Sequence, residues 1–168
     1  MPHLVYIGLG TNLCGNPDTE RQRQLSDNLN DAVRALKERV GALVKLSTFV
    51  STEPWGFDSE NTFLNAAASF STELTPQELL SATQDIERGM GRTAKSHGRQ
   101  YEDRIIDIDI LLYDTAVIDE PDLTVPHPLM EKRMFVLQPL AEIAPSLRHP
   151  VLHKTVAQLL QELRAEAS

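Results

Sequence analysis

A single cysteine, Cys14, stands among 168 residues. One thiol cannot close an intrachain disulfide, and with no cysteine–histidine cluster a structural zinc site is not expected. Long apolar runs are missing too: no stretch approaches the ~20 apolar residues that span a bilayer. The opening Met1-Pro2-His3 lacks a cationic segment, and the apolar run from Leu4 to Leu9 is too short for a signal-peptide core. A cytoplasmic protein without membrane association is therefore the expectation. Positive charge is in deficit, with 16 basic against 24 acidic residues and a net charge of −8. A non-specific grip on nucleic acid works by neutralising phosphates, so no nucleic-acid partner is expected. The phosphate-binding pattern GxxxxGK[ST] is absent, and Gly8-Leu9-Gly10 has no third glycine at position 13, which removes both the P-loop and the dinucleotide fingerprint. Ser47, Ser51 and Ser69 lack the surroundings of a hydrolase nucleophile.

What is present is the composition of an ordinary globular protein, 41% hydrophobic and 24% charged. The length suits one domain over residues 1–168, able to bury about 70% of its unfolded surface. Leu4-Val5-Tyr6-Ile7 reads as a short buried strand ending at Gly8-Leu9-Gly10-Thr11-Asn12. Residues 14–24 are polar, with Gly15, Asn16 and Pro17, and predict a loop. Leu25, Leu29, Ala32, Leu36 and Val40 recur at helical spacing before Gly41. β-Formers from Val44 to Thr52 and from Phe63 to Thr72 predict two strands around the loop Glu53-Pro54-Trp55-Gly56-Phe57. Thr75 and Glu78 form a capping-box pattern with Pro76 at the first helical position, and Gly89 and Gly91 are expected to end that helix. Ile105 to Tyr113 alternates strictly: Ile106, Ile108, Ile110 and Leu112 face one way, Asp107 and Asp109 the other. A Pro-rich turn, Val125-Pro126-His127-Pro128, a short helix near Phe135 to Glu142 and a last helix from Thr155 complete the chain. The order β-α-β-β-α-β predicts an α+β fold with a ferredoxin-like core, helices on one face of a mainly antiparallel sheet, and a C-terminal extension.

The chemistry concentrates in one region. Arg88, Arg92, Lys95, Arg99 and Arg104 form a basic island with only Glu102 and Asp103 opposing them, and it runs directly into Asp107 and Asp109. Strand residues two apart point the same way about 6.5–7 Å apart, so two such carboxylates can converge on one divalent ion or bridge two. Mg²⁺ takes one or two carboxylates and leaves its other positions to water and phosphates. A solvated strand face alternates in the same way, and a solvated charged loop is the usual fate of a cationic run. Cations beside an acidic pair nonetheless suit a small polyanion with its metal. His127, between two prolines, is either aimed at a ligand by a rigid turn or simply at the surface. Trp55, Phe57, Phe63 and Phe135 are either core or a clamp for a flat heterocycle.

Four blocks, in order, resemble the 6-hydroxymethyl-7,8-dihydropterin pyrophosphokinases of folate biosynthesis. They are Tyr6 to Leu13; Thr52 to Gly56 with Phe63 to Ala67; Arg104 to Leu111; and Leu123 to Pro128 through Arg133 and Phe135. The resemblance covers about residues 4–145. It implies transfer of the β,γ-pyrophosphoryl group of ATP to the pterin hydroxymethyl oxygen, with release of AMP. It implies that Asp107 and Asp109 hold two Mg²⁺ ions, and that Arg92 and Arg104 are catalytic cations on the phosphates. His127, Arg133, Ile110 and Thr124 complete the implied ATP site. Phe63 and Phe135 would sandwich the pterin while Asn65 reads its polar edge, with backbone groups near Thr52 and Trp55. Glu87 matches a position near the site whose role stays open. The implied partners are the two small substrates, for a monomer that can associate with neighbouring folate enzymes. The other readings of the same Asp pair are a two-metal nucleotidyltransferase or phosphohydrolase and a non-catalytic nucleotide-binding module.

The sequence also departs from the family pattern. The segment between Arg92 and Arg104 is about two residues longer than usual, Tyr101 stands where tryptophan is common, and Asp103 replaces a proline. Ala94 occupies a place where some members carry a further arginine, leaving Lys95 or Arg99 to take that role. The polar stretch from Cys14 to Gln24 predicts a long first loop.

Overall fold

Alternation along the first strand runs further than Leu4 to Ile7. In the computed structural model, which describes residues 2–13, 19–52, 62–95 and 106–167, β1 spans His3–Leu13. Val5, Ile7 and Leu9 are buried on one face of it, so Gly8 and Gly10 are strand residues of the opposite face and not a turn. The first helix, α1 (Thr19–Arg39), starts well before Leu25. Arg23 and Gln24 are exposed on it; polar residues on a solvent-facing turn carry no apolar period, which is why that stretch reads as loop. The strand expected over 44–52 starts earlier and is split into β2 (Gly41–Leu46) and β3 (Val50–Thr52), both paired with β4 (Thr62–Thr72). Gly41 opens β2 because a Cβ there would lie 1.9 Å from the Ser71 carbonyl oxygen.

The helix α2 (Pro76–Lys95) begins at its capping box: Thr75 N–H donates to Glu78 Oε1 at 2.9 Å, and Glu78 N–H donates to Thr75 Oγ1 at 3.1 Å. It does not stop at Gly89 or Gly91. A helical glycine costs about 1 kcal/mol, which weakens a helix without ending it. Beyond β5 (Asp107–Tyr113) come an unanticipated hairpin, β6 (Ile118–Glu120) with β7 (Leu123–Val125), then α3 (Met134–Ile143) and α4 (Val156–Ala167).

The main sheet has the order β2-β4-β1-β5, with β3 also on β4, and every neighbouring pair is antiparallel. With β2 and β3 taken as one interrupted strand, this is the ferredoxin-like order. On one face, Leu29 and Leu36 of α1 and Leu79 and Ile86 of α2 pack with Val5, Ile7, Phe70 and Ile108. The extension is a third layer on the other face, where Leu137 and Leu140 of α3 and Leu160 of α4 cover Tyr6, Ala67, Leu111 and Leu112. Each such side chain contributes about 1.5–3 kcal/mol on burial.

The alternation of β5 is not strict to its end. Tyr6 pairs with Leu112 and Ile7 with Ile110, so Leu111 is an extra, bulged residue. The phase slips there: Leu112 enters the α3–α4 layer and Tyr113 the α1–α2 layer. No helix among the described residues is long and apolar enough to cross a membrane.

Candidate functional site

The α3–α4 layer covers only part of its face of the sheet. Residues two apart on a strand share a face, so Gly8 and Gly10 of β1 lie on the Tyr6 side, and Asn65 and Phe63 of β4 lie on the Ala67 side. Pairing sets Asp107 opposite Gly10 and Gly10 opposite Asn65; the next row is Asp109, Gly8 and Ala67. At ~4.8 Å between strands, the backbones of Asp107 and Asn65 stand about 10 Å apart across a central strand bearing no side chain. A Cβ on Gly10 would meet Asn65 Oδ1 at 2.9 Å, so the amide reaches over this position and would have to turn aside for any larger residue. Thr52 of β3 pairs with Phe63, one strand further from the aspartates.

Asp107 is exposed and Asp109 partly so, at successive same-face positions of an edge strand. Two all-oxygen ligands of this kind fit Mg²⁺. Among the described residues no group of three or more His, Cys, Asp or Glu side chains is placed to hold a metal; Mg²⁺ typically takes one or two carboxylates and fills its other positions with water and phosphate oxygens. Glu87 of α2 accepts the Ile108 N–H at 2.7 Å through Oε2, pinning the outer edge of β5 between the two aspartates. Antiparallel pairs alternate between bonded and non-bonded, so the backbone of Ile110, like that of Ile108, faces away from β1. The Ile110 side chain is in the core and is not available to a ligand.

The turn after β7 brings in a histidine. A cis Val125–Pro126 bond precedes His127, whose N–H donates to the carbonyl of the bulged Leu111 at 3.0 Å. His127 Nδ1 accepts the Leu129 N–H at 3.4 Å, which leaves its proton on Nε2, 4.0 Å from Asp109 Oδ1. Burial pushes the His127 pKa below the usual histidine value; Asp109 raises it, Arg133 lowers it and Glu131 raises it. The ring is therefore neutral at pH 7. Arg133 is the residue before α3, and its guanidinium carbon lies 5.6 Å from the ring centroid of Phe135, which is 40% exposed. Thr124 is exposed on β7, paired with Asp119.

Trp55, Arg99 and Arg104 lie outside the described residues, as does the side chain of Lys95. Arg92 is placed by its backbone on the last turns of α2 and Thr52 by its strand position. The structure thus gathers Asp107, Asp109, His127, Asn65 and Phe63 around one strip. Gly8 and Gly10 were missed as its floor; their signal is two glycines at i, i+2 set between alternating Val5, Ile7 and Leu9. The signal for Glu87 is an acidic residue in line with Leu80 and the buried Thr83 on the packed side of α2. His149 and His153 have the four-residue spacing of a metal pair, but they sit in a turn where His149 Nδ1 accepts the N–H groups of Val151 and Leu152.

Residues 6–145 match the family described as 7,8-dihydro-6-hydroxymethylpterin-pyrophosphokinase (HPPK). The chain is 48% identical over 148 residues to a 2-amino-4-hydroxy-6-hydroxymethyldihydropteridine pyrophosphokinase of Porphyromonas gingivalis, covering 88% of this chain and 94% of that one. It is 36% identical over 160 residues to the Aquifex aeolicus protein of the same name, covering 94% and 91%. Among solved structures it is similar to Plasmodium falciparum HPPK-DHPS, with a TM-score of 0.74 at 16% identity, covering 99% of this chain and 42% of that one. This chain spans less than half the length of that protein, and at such identity the likeness is one of fold.

Proposed function

This chain belongs to the 7,8-dihydro-6-hydroxymethylpterin-pyrophosphokinase family and transfers the pyrophosphoryl group of ATP to the hydroxymethyl oxygen of 6-hydroxymethyl-7,8-dihydropterin in folate biosynthesis; from that premise we propose how the strip between β5 and β4 divides the work. The β5 side takes the nucleotide. Asp107 and Asp109 would hold two Mg²⁺ ions, Arg92, Arg104 and Arg133 bind the phosphates, and His127, Thr124 and the outward backbone of Ile110 complete the ATP site. The β4 side takes the pterin. Phe63 and Phe135 sandwich the ring, Asn65 reads its polar edge, and backbone groups of Thr52 and Trp55 assist.

The single observation that carries this division is the row Asp107–Gly10–Asn65, with a carboxylate at one end, an amide at the other and a glycine between them. The attacking oxygen is a neutral alcohol and the transferred group is multiply anionic. The hydroxymethyl oxygen bonds to the β-phosphorus as the β-phosphorus bond to the α-phosphate oxygen breaks, AMP leaves, and the hydroxyl proton passes to water. Positioning and charge neutralisation therefore carry most of the barrier, and no side chain is needed as a strong base. When bound, Mg²⁺ neutralises phosphate charge on the transferring group. We also infer that residues 1–168 work as one pyrophosphokinase domain, a cytoplasmic monomer. Association with a neighbouring folate enzyme has support in the joined name of the HPPK-DHPS protein.

The test is AMP release by Asp107→Asn and Asp109→Asn variants with ATP, Mg²⁺ and pterin. Turnover should fall by roughly 10²–10³-fold, as when one preorganised electrostatic contact to a developing charge is removed, with the melting temperature little changed. Turnover within threefold of the parent in both variants would refute the metal assignment.

A further inference from the structure

We infer that Glu142 and Thr48 act together as positioning residues for the pterin half of the site, an inference that rests on the assignment of Phe135, Phe63 and Asn65 above. The two walls of that half come from separate parts of the molecule: Phe63 and Asn65 from β4, with β3 beside them, and Phe135 from the N-terminal turn of α3. One tie joins them. The chain leaves its ladder after Leu46 and resumes at Val50, and this interruption is stapled on both sides. Towards the sheet, Ser47 N–H donates to the Ala67 carbonyl at 2.9 Å, and the Ala67 N–H donates to Ser47 Oγ at 2.9 Å. Towards α3, Thr48 N–H donates to Glu142 Oε1 at 2.9 Å, and Thr48 Oγ1 lies 2.9 and 2.8 Å from the two carboxylate oxygens.

Helix geometry makes the tie relevant to Phe135. Residues seven apart differ by two turns less about 20°, so Phe135 and Glu142 share one face of α3, about 10.5 Å apart along its axis. Rotation or sliding of α3 that breaks the carboxylate contacts turns the Phe135 ring with it. Thr48 in turn lies two residues before β3, which is in register with Phe63, Leu64 and Asn65. Ring and amide are thereby referenced to each other through a contact that touches neither substrate.

The experiment compares Glu142→Ala, Thr48→Val and Thr48→Ser with the parent for KM and calorimetric Kd of pterin and of ATP, with Phe135→Ala in parallel. Glu142→Ala and Thr48→Val should each raise pterin KM and Kd five- to twentyfold while ATP values stay within twofold. The double variant Thr48→Val with Glu142→Ala should be no worse than either single one, and Thr48→Ser should keep parental values. Pterin values within twofold in both single variants, or an equal rise for ATP, overturns the inference. If Glu142→Ala does not fold, Thr48→Val against Thr48→Ser decides it. If Phe135→Ala leaves pterin affinity intact, the site assignment fails and this inference falls with it; if Phe135→Ala weakens pterin while the Thr48 and Glu142 variants do not, this inference alone fails.

Discussion

At Gly10 the demand is for space. A Cβ there would sit 2.9 Å from Asn65 Oδ1, closer than a carbon and a carbonyl oxygen tolerate, so the amide must turn or the strand must move. Two residues away the demand relaxes, because a Cβ on Gly8 meets only the flexible end of Leu111 at 3.4 Å. The two glycines lie on the same face of the same strand, so they make a controlled pair. Gly10→Ala is expected to weaken pterin binding about tenfold, ~1.4 kcal/mol, through displacement of Asn65, while ATP binding changes little. Gly8→Ala should leave pterin affinity within threefold. Calorimetric titration of each variant with each substrate checks this; equal effects of the two substitutions would mean that Asn65 does not read the ligand.

At the scale of elements, α2 shows how local physics places distant chemistry. Its capping box satisfies two end groups reciprocally, and the same helix carries Glu87 to the outer edge of β5. Thr75→Ala should cost ~1 kcal/mol of stability, read as a lowered urea midpoint with unchanged slope; no loss would mean that the cap is idle. That box is legible in the sequence because all its members lie within four residues. The Asp107–Asp109 pair is legible for the same reason, since i, i+2 geometry is local. The break between β2 and β3 is not, because it is held by Ala67 and by Glu142, 94 residues from Thr48. Nor is the slip at Leu111, which exists only in the register against Tyr6 and Ile7. Gly8-Leu9-Gly10 misleads for a related reason: glycine signals a turn locally, and only the neighbouring strands show that it clears a floor. The aromatic and amide residues proposed for the pterin are named by family resemblance alone, because nothing in their spacing separates a clamp from a core.

For the molecule as a whole, the decisive addition is the third layer. It seals the Tyr6, Ala67 and Leu112 face and carries Phe135, so whatever holds α4 against α3 supports both the fold and the placement of Phe135. The connection runs through a turn in which Arg148 bridges to Thr155 and His149 N–H donates to the Lys154 carbonyl at 2.8 Å. The His149 ring is buried, and its Nδ1 accepts the N–H groups of Val151 and Leu152 at 3.2 and 3.0 Å. A proton on Nδ1 would remove both contacts. Burial depresses the His149 pKa below the ordinary value of 6.5, Glu131 opposes this, and His153 adds to the depression. A folded pKa below the unfolded one means that the unfolded chain binds more protons. The contribution is therefore fully present above about pH 6.5 and is lost as pH falls through the depressed folded value, with a slope of at most ~1.4 kcal/mol per pH unit. His149→Asn offers an amide oxygen to the same two N–H groups but does not titrate there. Chemical unfolding at steps from pH 7.5 to 5 should show a shallower loss of stability in His149→Asn than in the parent. Parallel curves would assign the acid sensitivity elsewhere and leave the turn held by its backbone contacts alone.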